Sequence, residues 1–252
     1  MMKRKLLVGL SILIIPFLIL LFDHYVLKED IHLSSDYDQS QEWNYIFNHQ
    51  SEYPVSLLKL SLRNKETISF VYHYPRVHHQ NQSLDLKGEL QNHQFPLFLQ
   101  WDERWGYKKY GQEYLAVNGC GPTCLSMVLC YLTGDDRYNP YYISHYSYQK
   151  GYLSDEGTSW KLMNEGAKGL GLQVKEVPLD EDIIQNELDL GHPIICSVKH
   201  SIFNENGHFI VIKGYHDGRY EVCDPNSRIK SQKSYSLHEF SSSIRNMWSY
   251  SL

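Results

Sequence analysis

One cysteine in this sequence stands where a helix is expected to begin. The stretch NGCGPTCLSMVLCYLTG, residues 118–134, contains an apolar run that predicts a buried helix. Pro122 has no backbone N–H, so it fits only in the first turn, where that donor has no partner within the helix. The helix must therefore begin between Gly119 and Gly121, which puts Cys120 at its N-terminus.

The start of a helix favours the thiolate form of a cysteine. Unpaired backbone N–H groups and the positive end of the helix dipole stabilise negative charge there. The thiolate is the nucleophilic form, and the N–H of Cys120 is free to donate to an oxyanion. The two flanking glycines let another backbone or a substrate come close. Cys120 is therefore the predicted nucleophile, whereas Cys124 and Cys130 are predicted to be small buried side chains of the same helix.

A nucleophilic cysteine needs a base, and the base needs a group that orients it. The stretch NGHFIVIKGY places His208 at the start of an apolar strand, and YEVCDPNS places Asp224 at the end of the next strand. Either feature is common on its own, but together with a thiol at a helix start they form a complete catalytic set. Gln100, in LFLQWDERWGY, is the predicted amide donor to the oxyanion, and Gln112 is the alternative.

The hairpin between these two strands decides whether His208 and Asp224 can meet. A two-residue Asp217-Gly218 turn with a regular ladder puts the two side chains on opposite faces of the sheet. A three-residue loop pairs Ile210 with Asp224 and puts both side chains on one face, with the backbones about 7–8 Å apart. The catalytic set therefore requires an odd-numbered loop, or a β-bulge with the same effect.

From Phe95 onward the apolar pattern predicts an α+β fold. Aromatic-rich helical turns follow the cysteine helix, and a further helix over Asp180–Leu190 lies between the first two of four strand-length apolar runs. Helices followed by a mostly antiparallel sheet are typical of this fold class. The helical turns are predicted over 141–152 and 160–169, and the strands over 172–177, 193–198, 209–215 and 220–223.

The N-terminus carries the pattern of a membrane anchor. Residues 1–5 include three basic side chains, and residues 6–22 have no charge, a length at the low edge of what spans a bilayer. No small-residue cleavage site follows, so a signal anchor is predicted, with the rest of the chain outside the cytoplasm. A cleaved signal peptide is the alternative.

The chain is predicted to have three parts: an anchor over residues 1–29, a stalk with a small helical unit over 30–82, and a catalytic domain over 83–252. Helical periodicity covers residues 36–75. In this unit one helix begins at Pro54, and a second helix is capped by Asn64 and ended by Pro75. Residues 78–94 are polar and are predicted to be a linker.

Composition excludes some partners. The net charge is −5 and no basic stretch is interleaved with aromatic residues, so nucleic-acid binding is not expected. The five cysteines include no C-x-x-C pair, so neither a zinc site nor a cofactor is predicted. An odd number of cysteines outside the cytoplasm leaves at least one free thiol.

Four segments in this order resemble the C39-like peptidase family of papain-fold cysteine peptidases: QWDERWGYKKYG, GCGPTCLSMVL, GHFIVIKGY and DPNS. The resemblance covers residues 50–250, because a stretch from YPVSLL to VYHYP is similar to a helical segment that precedes this domain in bacterial members. It implies Cys120 as nucleophile, His208 as general base, Asp224 as its orienting group and an upstream glutamine as oxyanion donor. It also implies a papain-like fold, in which the cysteine helix packs on the sheet.

Two functions are compatible with these features. The first is a membrane-anchored extracytoplasmic cysteine peptidase or amide hydrolase that acts on a peptide-like substrate through an acyl-enzyme. The second is a non-catalytic module on the same scaffold, with the tyrosines of YNPYYISHYSYQKGY lining a groove for a peptide or glycan. The complete set of cysteine, histidine and aspartate favours the enzyme.

Overall fold

The computed structural model describes residues 37–155 and 157–252 of the chain. The helices and strands fall into two units, divided between Tyr72 and His73. The predicted anchor, residues 1–29, lies outside the described residues. In the part of the chain that is described, no helix has both the length and the apolar character needed to cross a bilayer.

Three short helices open the described chain, as the apolar pattern predicted. They are α1 (Tyr37–Asn48), α2 (Val55–Arg63) and α3 (Ile68–Val77). Pro54 is the residue that precedes α2, and the Asn64 side chain accepts a hydrogen bond at the turn that leads into α3. The buried apolar side chains of the first unit include Trp43, Ile46, Leu57, Ile68 and Val71.

The prediction that Pro75 ends its helix is wrong. Helix α3 continues to Val77 with Pro75 inside it. A proline removes one N–H donor, but the neighbouring donors remain, and the His78 N–H still donates to the Tyr74 carbonyl at 3.1 Å. The last turn therefore closes around the proline.

Two small hairpins and a group of helices lead into the main sheet. The hairpins pair β1 (Lys109–Tyr110) with β2 (Glu113–Tyr114), and β3 (Leu153–Ser154) with β4 (Gly157–Thr158). The helices of the second unit beyond α3 are α4 (Leu115–Asn118), α5 (Cys120–Thr133), α6 (Pro140–Gln149), α7 (Glu165–Gly169), α8 (Glu181–Asp189) and α9 (Arg228–Ser231).

A six-stranded antiparallel sheet has the order β5-β10-β6-β7-β8-β9. All four predicted strands are present, within a residue of their predicted ends, and α8 lies between the first two of them as predicted. Strands β9 and β10 were not predicted. The six strands are β5 (Gln173–Glu176), β6 (Ile194–Val198), β7 (His208–His216), β8 (Arg219–Cys223), β9 (Ser234–Tyr235) and β10 (Ile244–Ser251).

Helix α5 is the central helix of the second unit. Its residues from Gly121 to Cys130 are all buried, as expected for a helix that is apolar on every side. Its side chains pack with one face of the sheet, and α8 contributes Ile184 to a second apolar cluster with other side chains of the sheet. At roughly 1.5–3 kcal/mol for each fully buried large aliphatic side chain, this packing holds the start of α5 in place.

The predicted linker, residues 78–94, is fastened to the second unit. Leu86 is fully buried in the same apolar cluster as α5. Arg104 donates to the Asp85 carbonyl at 3.2 Å and pairs with Glu89 at 2.6 Å. The polar composition of residues 78–94 did not predict this attachment, because it depends on one buried leucine and two contacts of Arg104.

Candidate active site

Helix α5 begins at Cys120, as the position of Pro122 predicted. The helix ends at Thr133 and is capped by Gly134, which is left-handed at φ 67° and donates its N–H to the Cys130 carbonyl at 2.9 Å. The ends of α5 are therefore fixed by local sequence, and Cys120 is held at its N-terminus.

The glycines on either side of Cys120 are required by space. A Cβ atom at Gly119 would overlap the Leu115 carbonyl oxygen, because α4 ends directly against the start of α5. A Cβ atom at Gly121 would lie 2.7 Å from Cγ2 of Thr158, on strand β4. The expected close approach of a backbone is confirmed at Gly119, whereas at Gly121 the group that comes close is a side chain.

Cys120 differs from the other four cysteines in its environment. All five are free thiols, but Cys120 is only partly buried, whereas the other four are fully buried. Burial raises the pKa of each of these four thiols, to about 12 for Cys130 and Cys223. Cys120 is therefore the cysteine best placed to react with a molecule from solution.

His208 and Asp224 form a buried hydrogen-bonded pair. Nε2 of His208 donates to Oδ1 of Asp224 at 2.7 Å, and the two side chains are 3% and 0% exposed. The Asn226 N–H also donates to Oδ1 of Asp224, at 2.8 Å, which fixes the carboxylate. Cys120 lies close enough to the imidazole to contribute to raising the pKa of His208. The structure thus brings the three residues that were predicted to act together into one neighbourhood.

This environment favours the charged form of His208. Burial alone would lower the pKa of the imidazole, but the Asp224 charge, the hydrogen bond to Asp224 and the contact with Cys120 raise it. The net effect raises the pKa of His208 to about 10. An imidazolium beside a thiol stabilises the thiolate and is ready to act as an acid.

The register between β7 and β8 brings His208 and Asp224 to one face. The turn is the two-residue Asp217-Gly218 turn, with both residues at positive φ, so the three-residue loop is wrong. A β-bulge at Lys213 then shifts the ladder by one residue. The prediction was an odd-numbered loop or a β-bulge with the same effect, and the β-bulge is confirmed.

Gln100 lies between the elements that carry Cys120 and Asp224. Its Nε2 donates to the Ala116 carbonyl of α4 at 2.7 Å, and makes only a long contact, 3.4 Å, with the Val117 carbonyl. Its backbone N–H donates to the Pro225 carbonyl at 2.7 Å, beside Asp224. Its Oε1 is buried and has no hydrogen-bond partner. This glutamine is therefore held at the start of α5 from two sides.

Gln112 is placed differently. It is exposed in the turn between β1 and β2, and its carbonyl accepts a hydrogen bond from Nζ of Lys109 at 3.1 Å. The structure therefore brings Gln100, and not the alternative Gln112, to the elements that carry the other predicted residues.

Tyr110 and Thr158 are neighbours of Cys120 that sequence analysis missed. The Tyr110 hydroxyl bonds with the hydroxyls of Ser147 at 2.7 Å and Thr158 at 3.1 Å. Burial raises the pKa of Tyr110, these two bonds lower it, and the charge on Cys120 raises it further. Both residues lie in two-residue strands, which leave no periodic signal in a sequence.

The arrangement can perform nucleophilic and acid–base chemistry. It contains a thiol at a helix start, an imidazole oriented by a carboxylate, and the backbone N–H of Cys120 at the same helix start. Within residues 37–155 and 157–252, no cluster of three His, Cys, Asp or Glu side chains has the geometry to hold a metal ion.

Two solved structures show a distant similarity to this chain. One is the peptidase domain of Streptococcus ComA, a bi-functional ABC transporter involved in a quorum sensing pathway. It is 20% identical, with 63% of this chain and 98% of that chain covered and a TM-score of 0.46. The other is a putative C39-like peptidase from Bacillus anthracis, 15% identical, with 64% and 96% covered and a TM-score of 0.39.

Among curated proteins, none matches this chain. A family model does match, and it spans residues 92–251, more than half of the sequence and the whole of the arrangement built around Cys120. The chain belongs to the Peptidase_C39 like family.

Proposed function

We propose that this protein is a cysteine peptidase or amide hydrolase that forms an acyl-enzyme on Cys120. The observation that carries the proposal is the buried hydrogen bond between His208 and Asp224, with Cys120 near the imidazole at the start of α5. Membership of a peptidase family supports a peptide or peptide-like amide as the substrate.

The Cys120 thiolate attacks the carbonyl carbon of the amide, and a carbon–sulfur bond forms as the oxygen becomes an oxyanion. Two N–H groups donate to this oxygen. One is the backbone N–H of Cys120, and the other is the N–H of Gln100 Nε2 whose only partner is the Val117 carbonyl at 3.4 Å. The His208 imidazolium gives its proton to the leaving amine as the carbon–nitrogen bond breaks. Water then attacks the thioester and His208 accepts a proton from it, so that the acid leaves and the thiolate returns.

Asp224 orients the base throughout this cycle. Its hydrogen bond fixes the ring so that Nε2 faces the carboxylate and Nδ1 is left for the thiol. The carboxylate also stabilises the imidazolium that proton transfer requires. Removing the charge should therefore weaken catalysis without removing the nucleophile.

Thiol labelling tests this proposal. Brief iodoacetamide treatment of the folded protein at neutral pH, followed by peptide mass spectrometry, should modify Cys120 and leave the four buried cysteines unmodified until the protein is unfolded. Asp224→Asn should slow the modification of Cys120 by roughly tenfold or more, since the imidazolium that stabilises the thiolate loses its partner.

The matched control is Cys223→Ser, which removes a buried thiol and should leave the labelling of Cys120 unchanged. Cleavage of a defined peptide mixture, followed by mass spectrometry, should disappear in Cys120→Ser. Dominant labelling of another cysteine, or cleavage that survives Cys120→Ser, would contradict the proposal. Labelling of Cys120 with no cleavage of any peptide would favour the binding module instead.

We also infer that the protein is anchored in the membrane, with its catalytic domain outside the cytoplasm. Support comes from the basic residues near the N-terminus and the uncharged residues 6–22 that follow them. In intact cells, protease should remove a tag placed at the C-terminus, and the protein should stay in the membrane fraction. Release into the medium would indicate a cleaved signal peptide, and a protected tag would overturn the inferred orientation.

A further inference from the structure

An exposed tryptophan follows the hairpin that lies against Gly121 and takes no part in the proposed chemistry. Trp160 is 47% exposed, directly after the β3–β4 hairpin. A single exposed apolar side chain is common in folded proteins, and it becomes a candidate contact site only when its position is fixed near a functional site. The surroundings of Trp160 meet that condition.

Two contacts fix the indole of Trp160. Its Nε1 donates to Oγ of Ser197 on β6 at 3.1 Å. Its ring makes an edge contact with Trp248 on β10, at 5.6 Å between centroids and 72° between planes. Trp248 and Ser197 are themselves buried, so both contacts are to rigid parts of the sheet. The exposed half of the indole is therefore held in one orientation, and little conformational entropy is lost when a ligand covers it.

Trp160 connects the elements that carry the thiol and the imidazole. It follows Thr158 by two residues, and Thr158 lies against Gly121, the residue after Cys120. On its other side, its partner Ser197 pairs across the ladder with Phe209, the residue after His208. The two elements that hold Trp160 thus lead to the residue after Cys120 and to the residue after His208.

The indole offers an apolar surface and little else. Its N–H, the one polar group of the side chain, is already used by Ser197. The ring face could attract a cation, but three cationic residues already occupy nearby positions in the chain and in the sheet. Lys161 follows Trp160, Lys199 follows the strand residue opposite His208, and Arg245 lies in the bulge of β10. None of the three makes an ion pair within the described residues.

We propose that Trp160 is a specificity-determining residue, which binds an apolar side chain of the substrate close to the cleaved amide. This inference rests on the proposed function and names its substrate class: peptides with an aliphatic or aromatic residue beside the cleavage point, in preference to glycine or a basic residue. The neighbouring positive charges disfavour a lysine or arginine at the same position.

Thiol-directed peptide probes test the inference. The probes are N-acetylated dipeptidyl vinyl sulfones, all with the same reactive group. One series varies the residue next to the vinyl sulfone, and the other series varies the second residue from it. Each varied position is Gly, Leu, Phe or Lys. The readout is the second-order rate constant for modification of Cys120, followed by intact mass. In one of the series, Leu or Phe should react roughly tenfold or more faster than Gly and Lys, which is the usual discrimination from one apolar contact.

Three variants make the test specific to the indole. Trp160→Ala should bring the rates for Leu and Phe down to that for Gly, whereas Trp160→Phe should retain most of the preference. Leu179→Ala is the matched control, because Leu179 is an apolar side chain of similar exposure (52%) but lies between β5 and α8. It should leave every rate unchanged.

Iodoacetamide distinguishes the role of Trp160 from the proposed function of Cys120, because this reagent has no side chain that Trp160 could bind. Wild type and Trp160→Ala should react with it at equal rates. Equal vinyl sulfone rates for Gly, Leu and Phe, or a preference that survives Trp160→Ala, would overturn the role of Trp160 while leaving the proposed function intact. No reaction of Cys120 with iodoacetamide in the wild type would overturn the proposed function itself.

Discussion

Gly119 and Gly121 show why the residues beside Cys120 are small. Neither glycine needs a positive φ, so conformational freedom is not the reason for either. Gly119 meets a backbone carbonyl and Gly121 meets a threonine side chain. A backbone atom inside a helix moves only if the helix moves, whereas a side chain can turn to another rotamer. The two glycines should therefore differ in how well they tolerate a methyl group.

We expect Gly119→Ala to lower the free energy of unfolding by roughly 2 kcal/mol or more, and Gly121→Ala by about 1 kcal/mol. Urea unfolding followed by tryptophan fluorescence measures both. Gly88→Ala is the control, because a Cβ atom at Gly88 meets nothing within 4 Å, and its effect should stay within about 0.5 kcal/mol. Equal stabilities for Gly119→Ala and Gly88→Ala would show that α4 can move away from α5.

Single site residues could be predicted from the sequence where an unusual combination of residue types marked their positions. Cys120 could be identified because Pro122 limits where a helix can begin, and His208 and Asp224 because each occupies an end of a strand. Tyr110, Thr158 and Trp160 could not be found in this way. Their positions depend on which short segments pack against the start of α5, and tertiary contacts of that kind leave no local pattern.

The hairpin of β7 and β8 is the element that sets the catalytic register. A ladder that begins at a two-residue turn would bring His208 and Asp224 to opposite faces, and the extra residue Lys213 reverses this. The pairing of β7 with β6 ends at Ile212, so the bulge lies beyond that ladder and disturbs only one neighbour. On the Asp224 side of the bulge, the faces of the side chains depend on which residues of β7 and β8 are paired. Lys213 matters only because it allows these pairs to form together with a two-residue turn.

Deleting Lys213 should preserve the site, and deleting Glu221 should destroy it. Removal of Lys213 takes away the unpaired residue and leaves the partners of all other strand residues unchanged. Removal of Glu221 shifts Val222, Cys223 and Asp224 by one position, which turns each to the opposite face. The rate of Cys120 alkylation and the urea midpoint are the measurements.

The two deletions are matched, because Lys213 and Glu221 form one ion pair at 2.8 Å and either deletion removes it. Lys213→Ala and Glu221→Ala measure the loss of that pair, which should cost less than about 1 kcal/mol at this exposed position. Loss of Cys120 reactivity on deletion of Lys213 would mean that the bulge itself, and not the pairing below it, positions Asp224.

At the element scale, periodicity predicted the strands that alternate or run apolar, and it missed β10. The segment IRNMWSYS contains four polar residues, yet Ser249 is buried, because β10 lies between β5 and β6 with both of its faces covered. The bulge was predicted only as one of two alternatives. Chemistry required a change of register, but no residue type marks where a strand accommodates it.

At the scale of the whole molecule, the buried pair links folding to pH. The pKa of His208 is about 10 in the folded protein, against about 6.5 when the chain is unfolded. A histidine whose pKa is raised on folding contributes stability that is fully present below the unfolded value. That contribution is lost as the pH rises through the folded value.

We therefore expect the difference in free energy of unfolding between wild type and Asp224→Asn to be largest near pH 6 and to shrink as the pH approaches 10. Urea unfolding of both proteins at intervals across this range, under reducing conditions, measures it. Taking the difference removes the titration of side chains that the two proteins share. A difference that stays constant over the range would show that His208 is not held as an imidazolium by Asp224.

The place of β10 in the sheet has a consequence for how the protein is made. Residues 244–251 form the strand between β5 and β6, so the sheet stays in two pieces until the ribosome has completed that segment. Until then β5 has no partner, and β6 presents an open edge to other nascent chains. The helix of Cys120 leaves the ribosome more than a hundred residues earlier, but it lacks its full packing surface until β10 arrives. Synthesis thus delays assembly of the thiol site until almost all of the described chain has emerged, and chains stalled before β10 should be the aggregation-prone ones.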